Sequence, residues 1–179
     1  MNFGFFEQMS GPEAETYLAD LRRLGAEGVA SLAEMMGGEV IELDYSLDSV
    51  RPFAELVARR AVKVPRSPDE SLPGWLRESL REGDAYDFDD PSKILVLRFS
   101  YYLGEAFVRT WPNGLRWTVG EAGTAEENQP VVAGFMHRLE LAPLLVGENL
   151  LRDLIEAPDR PERVDSVVQG WRECLPPGA

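Results

Sequence analysis

The sequence predicts an α+β fold, dominated by helices, with one small antiparallel sheet. Three observations carry that expectation. Apolar residues recur at spacings of three and four along much of the 179-residue chain, the period of half-buried helices. Residues 91 to 110 are apolar almost all round a helical wheel, which marks a buried spine. Residues 115 to 136 break the helical period: a Pro112-Asn113-Gly114 turn is followed by alternation at Leu115, Trp117 and Val119, then by a second β-branched run. That stretch reads as an antiparallel hairpin. The length suits one domain with a real core, so residues 1–179 are expected to form a single unit.

Residues 1–10 carry Phe3, Phe5 and Phe6. This aromatic arm is expected to dock on the protein's own core, with a dimer contact as the alternative. Ser10 can cap the first helix and Pro12 fits its first turn. Leu18, Leu21, Gly25, Gly28, Leu32 and Met35 form one stripe, and Gly37-Gly38 should end it. Each glycine inside a helix costs about 1 kcal/mol relative to alanine. Either another element packs very close to Gly25 and Gly28, or the helix breaks there.

"EVIELDYS" reads as a short strand or an extended connector. Asp48 is placed to cap a second helix, with Pro52 in its first turn and Val50, Phe53, Val57 and Ala61 on one face. Residues 63–71 read as a proline-rich connector, and a short helix led by Pro73 should turn Leu72, Trp75, Leu76 and Leu80 inward. Asp84, Asp87, Asp89 and Asp90 invite comparison with a calcium loop. That loop needs a central glycine and a distal glutamate, and neither is in place. Asp89 or Asp90 instead caps the spine helix, which Pro91 opens.

On the spine, Arg98, Tyr102, Glu105 and Arg109 fall on one narrow stripe, spaced four, three and four. Two readings follow. The stripe is an ion-paired side of the spine, with Glu105 held by Arg109 and Arg98. Alternatively it lines a cleft, with Glu105 as base or ligand, Tyr102 as donor and the arginines as an anion clamp. Trp117, across the turn, joins these four as a candidate binding residue. Ser100 and Gly104 form a smooth patch on another face, so Gly104 is expected to serve packing.

Past the hairpin, "PVVAGFMHRLEL" reads as one returning strand, with His137 as a polar strand-end residue. Two helices close the chain, the first led by Pro143. The second carries Val164, Val167, Val168, Trp171 and Cys174 on one face, so Cys174 is expected to be an inert core thiol.

Formal net charge is −13 and pI about 4.5. Such acidity opposes binding to nucleic acid or to an anionic membrane, and favours either solubility alone or a basic partner. The opening residues do not read as a signal peptide, no uncharged run reaches membrane-spanning length, and one cysteine cannot form an internal disulfide. A cytoplasmic protein is expected. Phosphate-binding, zinc-protease, CxxC and nucleophile-elbow motifs are absent from the sequence, so no cofactor and no metal are expected.

"YYLGEAFVRTWPNGLRWTV", "QPVVAGF" and "LAPLLVGENLL" together resemble a family of bacterial proteins without known activity. Its members carry an aromatic-x-Gly-Glu helix, a Gly-x-x-Trp turn and strand, and a Pro-Val-Val strand. The resemblance covers about residues 90 to 155 and implies a fold, not a chemistry. Similar small acidic proteins occur among bacterial toxin-immunity proteins, which implies a protein partner by analogy. The expected function is therefore a non-catalytic binding or accessory protein with a basic protein partner; a homodimer stays open. The alternative is an enzyme or small-molecule binder on the Arg98, Tyr102, Glu105 and Arg109 stripe.

Overall fold

A computed structural model describes residues 3–35, 42–65 and 86–176. The expected Gly37-Gly38 helix stop and the helix led by Pro73 lie outside the described residues. Five helices are described: α1 (Gly11–Met35), α2 (Val50–Arg60), α3 (Asp90–Thr110), α4 (Pro143–Glu156) and α5 (Glu162–Glu173). Two small antiparallel sheets accompany them. In one, β1 (Lys63–Pro65) pairs with β2 (Tyr86–Phe88). The other runs in the order β3 (Arg116–Val119), β4 (Pro130–Ala133), β5 (Glu140–Leu141). The fold is a helix-dominated α+β arrangement, as its periodicities predict.

Helix α3 is the spine. Asp89 caps it by accepting a hydrogen bond from the Ser92 N–H at 2.9 Å; the Ser92 side chain first, and then this backbone bond, hold the Asp89 carboxyl below its usual range. Val96, Phe99, Tyr102, Leu103, Ala106 and Phe107 are all buried. Burying a large apolar side chain of this kind contributes about 1.5–3 kcal/mol. Helices α1, α2 and α4 and strand β4 pack around it. Ser92 ties in the chain before β1, its hydroxyl accepting the Val62 N–H at 2.8 Å.

Small residues decide how closely these neighbours come. Helix α1 runs unbroken through both glycines. A methyl group on Gly25 would strike the Tyr101 ring, and one on Gly28 would lie 2.6 Å from Arg98 Nε. The propensity cost of those glycines is offset by near-backbone contact with α3. On the opposite side, a methyl on Gly104 would strike the Trp117 ring and lie 2.9 Å from Pro143 Cγ. Gly147 of α4 sits over Ser100, where a methyl would approach Ser100 Cα and Cβ to 3.1 Å. The Ser100 hydroxyl is buried there without a hydrogen-bond partner.

Several local expectations need correction. Ser46, not Asp48, is the cap near α2: its hydroxyl accepts the Ser49 N–H at 3.2 Å across a 3-10 turn, Leu47–Ser49, that leads into the helix. The connector beginning at residue 63 starts as strand β1. The segment read as one returning strand ends at Ala133, turns through Met136–Arg138, and comes back as β5. His137 therefore lies in that turn with φ 58° and is exposed. Cys174 is half-buried at the end of α5, not in the core. The aromatic arm is a 3-10 helix, Phe3–Gln8, in which Phe6 is buried against Tyr17 while Phe5 is 52% exposed. A buried ion pair was not foreseen at all: Arg152 Nη2 meets Glu148 Oε1 at 2.8 Å, and the guanidinium covers the Phe88 ring of β2.

Two variants test the packing of α3. Gly104→Leu must displace Trp117 or Pro143, and overpacking of this kind costs about 1–3 kcal/mol. Its melting temperature should fall; a variant as stable as wild type would end the packing account. Ser100→Ala removes an unsatisfied buried hydroxyl and improves helix propensity. It should be neutral or up to about 1 kcal/mol more stable, as read by urea unfolding.

Candidate functional site

Three residues of the stripe, Tyr102, Glu105 and Arg109, are brought together with Trp117, Tyr45 and Ser49. Glu105 uses both carboxylate oxygens: Arg109 Nε donates to Oε1 at 2.9 Å, and the Trp117 indole N–H donates to Oε2 at 3.1 Å. Its side chain is 14% exposed, while that of Arg109 is 51% exposed. The Arg109 guanidinium also lies 3.7 Å over the Tyr45 ring, a cation–π contact. Tyr45 stacks on Tyr102, with ring centroids 4.6 Å apart.

Tyr102 is fully buried and its hydroxyl is satisfied on both sides. It accepts the Tyr45 N–H at 2.8 Å and meets Ser49 Oγ at 2.6 Å. Ser49 spends its own proton on the Ser46 carbonyl at 2.7 Å, so the phenol donates to Ser49. The chain of bonds pins the segment before α2 to the spine. Tyr45 adopts a left-handed φ of 61° there, an uncommon conformation for a residue with a side chain. Trp117 lies in the core and stacks on Tyr101, the rings 6.1 Å apart and nearly parallel. Arg98 stands apart from this set. It is half-buried over Gly28 and, among the described residues, forms no ion pair with Glu105.

The three cavities described are lined by other residues. One, of about 350 Å³, is a groove between α2 and the end of α4, walled by Ala58, Leu154, Ile155, Pro158 and Pro161. A second, of about 470 Å³, lies between the aromatic arm and the 123–129 loop. There the Gln129 Nε2 donates to the Ala125 carbonyl at 3.1 Å while its Oε1 is buried without a partner. The largest of the three, about 550 Å³, lies on the outer face of the three-stranded sheet.

Strand register explains that outer face. Trp117, Val132 and Leu141 stand in one row and face the core; Arg116, Ala133 and Glu140 stand in the next row and face away. Ala133, being small, leaves a trough between a guanidinium and a carboxylate. Glu121 and Glu126 from the loop between β3 and β4 wall one side, and Arg138 and Leu139 from the turn before β5 wall another. None of Arg116, Glu121, Glu126, Arg138 and Glu140 forms an ion pair among the described residues. The Glu140 carboxyl is pushed up, first by burial and then by the charges of Glu121 and Glu126. Nothing in the sequence reading singled these residues out. The alternation around Trp117 does place Arg116 and Thr118 on the outer face, but β5 was hidden inside an apparent longer strand. Among the described residues, no group of three or more His, Cys, Asp or Glu could hold a metal ion.

Three measurements follow from the Glu105 network. Glu105→Gln keeps the shape and one acceptor but loses the charge. Hydrogen bonds to charged groups are worth about 1 kcal/mol more than neutral ones, so the variant should lose about 1–2 kcal/mol; a loss under about 0.5 kcal/mol would match an exposed surface pair instead. A double-mutant cycle of Glu105→Gln with Trp117→Phe should return a coupling of about 1 kcal/mol. The third measurement is alkaline unfolding. Burial, followed by the charge of Glu105, pushes the Tyr101 phenol up from 10.0 to about 12. The unfolded chain therefore releases that proton first. Stability should hold below pH 10 and fall as pH rises toward 12. In Tyr101→Phe the decline over that window should be shallower.

Among the described residues no helix is long and apolar enough to cross a membrane. The chain matches no protein-family model, no curated protein and no solved structure. What the protein does is therefore a question for its geometry.

Proposed function

We propose that the protein is a non-catalytic binding protein, cytoplasmic, with a basic protein partner and an accessory or immunity-like role. One observation carries this reading: the candidate acid Glu105 has both oxygens engaged by Arg109 and Trp117. A general base must come within hydrogen-bond reach of a substrate proton, and this carboxylate is only 14% exposed, with both oxygens turned toward protein donors. Tyr102, the candidate donor, is fully buried and already bonded to Tyr45 and Ser49. The rival reading, an enzyme or small-molecule binder on Arg98, Tyr102, Glu105 and Arg109, has correspondingly less support. We read Tyr102, Glu105, Arg109 and Trp117 as a clamp that shapes the protein, with Arg98 outside it. A net charge of −13 then serves recognition, because it attracts a basic partner and repels polyanions.

Affinity capture with the intact chain, from the organism that encodes it, tests the reading. A basic protein should be retained at about 0.1 M salt and released at about 1 M, where the Debye length falls from ~10 Å to ~3 Å. Native mass spectrometry that finds only a tightly held small molecule, with no protein retained, would overturn it.

A further inference from the structure

The trough on the outer sheet face carries charges of both signs that form no ion pair among the described residues. Arg116 and Glu140 stand in register on either side of Ala133, two strand spacings apart, or about 9–10 Å between backbones. Neither forms an ion pair with the other or with another described residue, and the Glu140 carboxyl has only a backbone hydrogen bond from Glu121. Glu121 and Glu126 crowd the Glu140 end, so a cation entering there relieves repulsion among like charges. Arg116 and Arg138 offer guanidinium forks to a carboxylate. Leu139 at the rim is 41% exposed, and Phe135 lies below it in the lining, so the aliphatic stem of a long side chain has apolar surface to cover. His137 and Arg138 are both held at left-handed φ values, 58° and 56°. Such a conformation is uncommon for residues with side chains. The Met136 N–H fastens the same turn to the Cys174 carbonyl at 2.8 Å, so this wall is anchored to α5.

We propose that this trough is a docking site for an extended peptide segment bearing one basic and one acidic side chain on the same face. The basic group seats among Glu121, Glu126 and Glu140, and the acidic group meets Arg116 and Arg138. In an extended segment, side chains two residues apart share a face and stand about 6.8 Å apart. Flexible side chains on both partners span the remaining few ångströms of the trough. A cavity of about 550 Å³ matches that load, since pockets for small ligands run about 300–1,000 Å³. Charge complementarity selects a dipolar segment over a purely basic one, because two arginines line the same cavity. This inference rests on the reading of the protein as a partner-binding molecule, and it names where and how the partner is held.

The test is an amide-resolved NMR titration of the intact protein with three capped pentapeptides. These are Gly-Lys-Gly-Asp-Gly, Gly-Lys-Gly-Asn-Gly and Gly-Asn-Gly-Asn-Gly. The first should shift amides of residues 116–140 and saturate, binding at least about tenfold more tightly than the second, the equivalent of about 1.4 kcal/mol. The third should not bind. Glu140→Gln and Arg116→Gln, both on the outer face, should each weaken the first peptide by about tenfold without lowering the melting temperature. Equal shifts with all three peptides, shifts centred away from the trough, or unchanged affinity in both variants would overturn the proposal. Its fate is separable from the function reading. A retained basic protein with a silent titration removes only this docking site, whereas a saturating titration with no retained protein removes the basic partner and leaves the peptide site standing.

Discussion

The structure depends on how closely its other elements approach α3. Three contacts set that approach: Gly25 over Tyr101, Gly104 under Trp117, and Gly147 over Ser100. Each replaces a side chain with backbone, so α1, β3 and α4 all lie nearer the spine than ordinary side chains would permit. Protein interiors are packed about as densely as organic crystals, and they offer little slack for a misplaced methyl group. The cost is visible in the sequence as glycines inside helices, each about 1 kcal/mol worse than alanine in propensity. The return is burial of an aromatic layer in which Tyr101 and Trp117 lie nearly parallel and Phe53 meets both Phe99 and Tyr102 edge-on.

That close packing carries polar groups inward; the Ser100 hydroxyl is left without a partner, while those around Trp117 are satisfied by one another. Trp117 must be buried to stack on Tyr101, which leaves its indole N–H in need of an acceptor. Glu105, one turn from Tyr101 on the same helix, supplies it. The charge brought in with that carboxylate is balanced by Arg109, whose guanidinium reaches the surface over Tyr45. Tyr102 in turn fastens Tyr45 and Ser49, so the segment ahead of α2 is held by the same cluster. Glu148 and Arg152 perform a comparable task on α4, where the arginine lies over the rings of β2. A buried acid with a snorkelling arginine thus appears twice, each time where a helix meets a strand.

Local signals made much of this legible in the sequence. The α3 period, the Asp89 cap, the Pro112-Asn113-Gly114 turn and the Ser100–Gly104 patch depend on neighbours in the chain, and each reads directly. What failed depends on distance or on conformations that side chains disfavour. Strand β1 is three residues long, and its partner β2 lies more than twenty residues away, so no local pattern announces it. Gly134, a positive-φ glycine, does mark the end of β4, but the turn before β5 itself uses left-handed His137 and Arg138, residues that do not announce a turn. Ser46 is obscured in the sequence by Asp48, an acid two residues closer to the helix. The candidate stripe was found by spacing alone, but spacing could not show that Glu105 faces an indole twelve residues on. The outer-face charges were missed for the same reason: their meeting depends on the register of three strands.

The fold divides charge between inside and outside: Glu105 and Arg109 of α3 bond to each other and to Trp117, whereas Arg116 and Glu140 stand on the outer sheet face. Hydrogen exchange at the Trp117 indole N–H tests this division most directly, because that proton reports whether Glu105 is engaged. The account predicts that the indole proton exchanges only with global unfolding, as slowly as the central amides of α3. An indole proton that exchanges through local opening, far faster than those amides, would contradict it and return Glu105 to the open site that a working carboxylate requires.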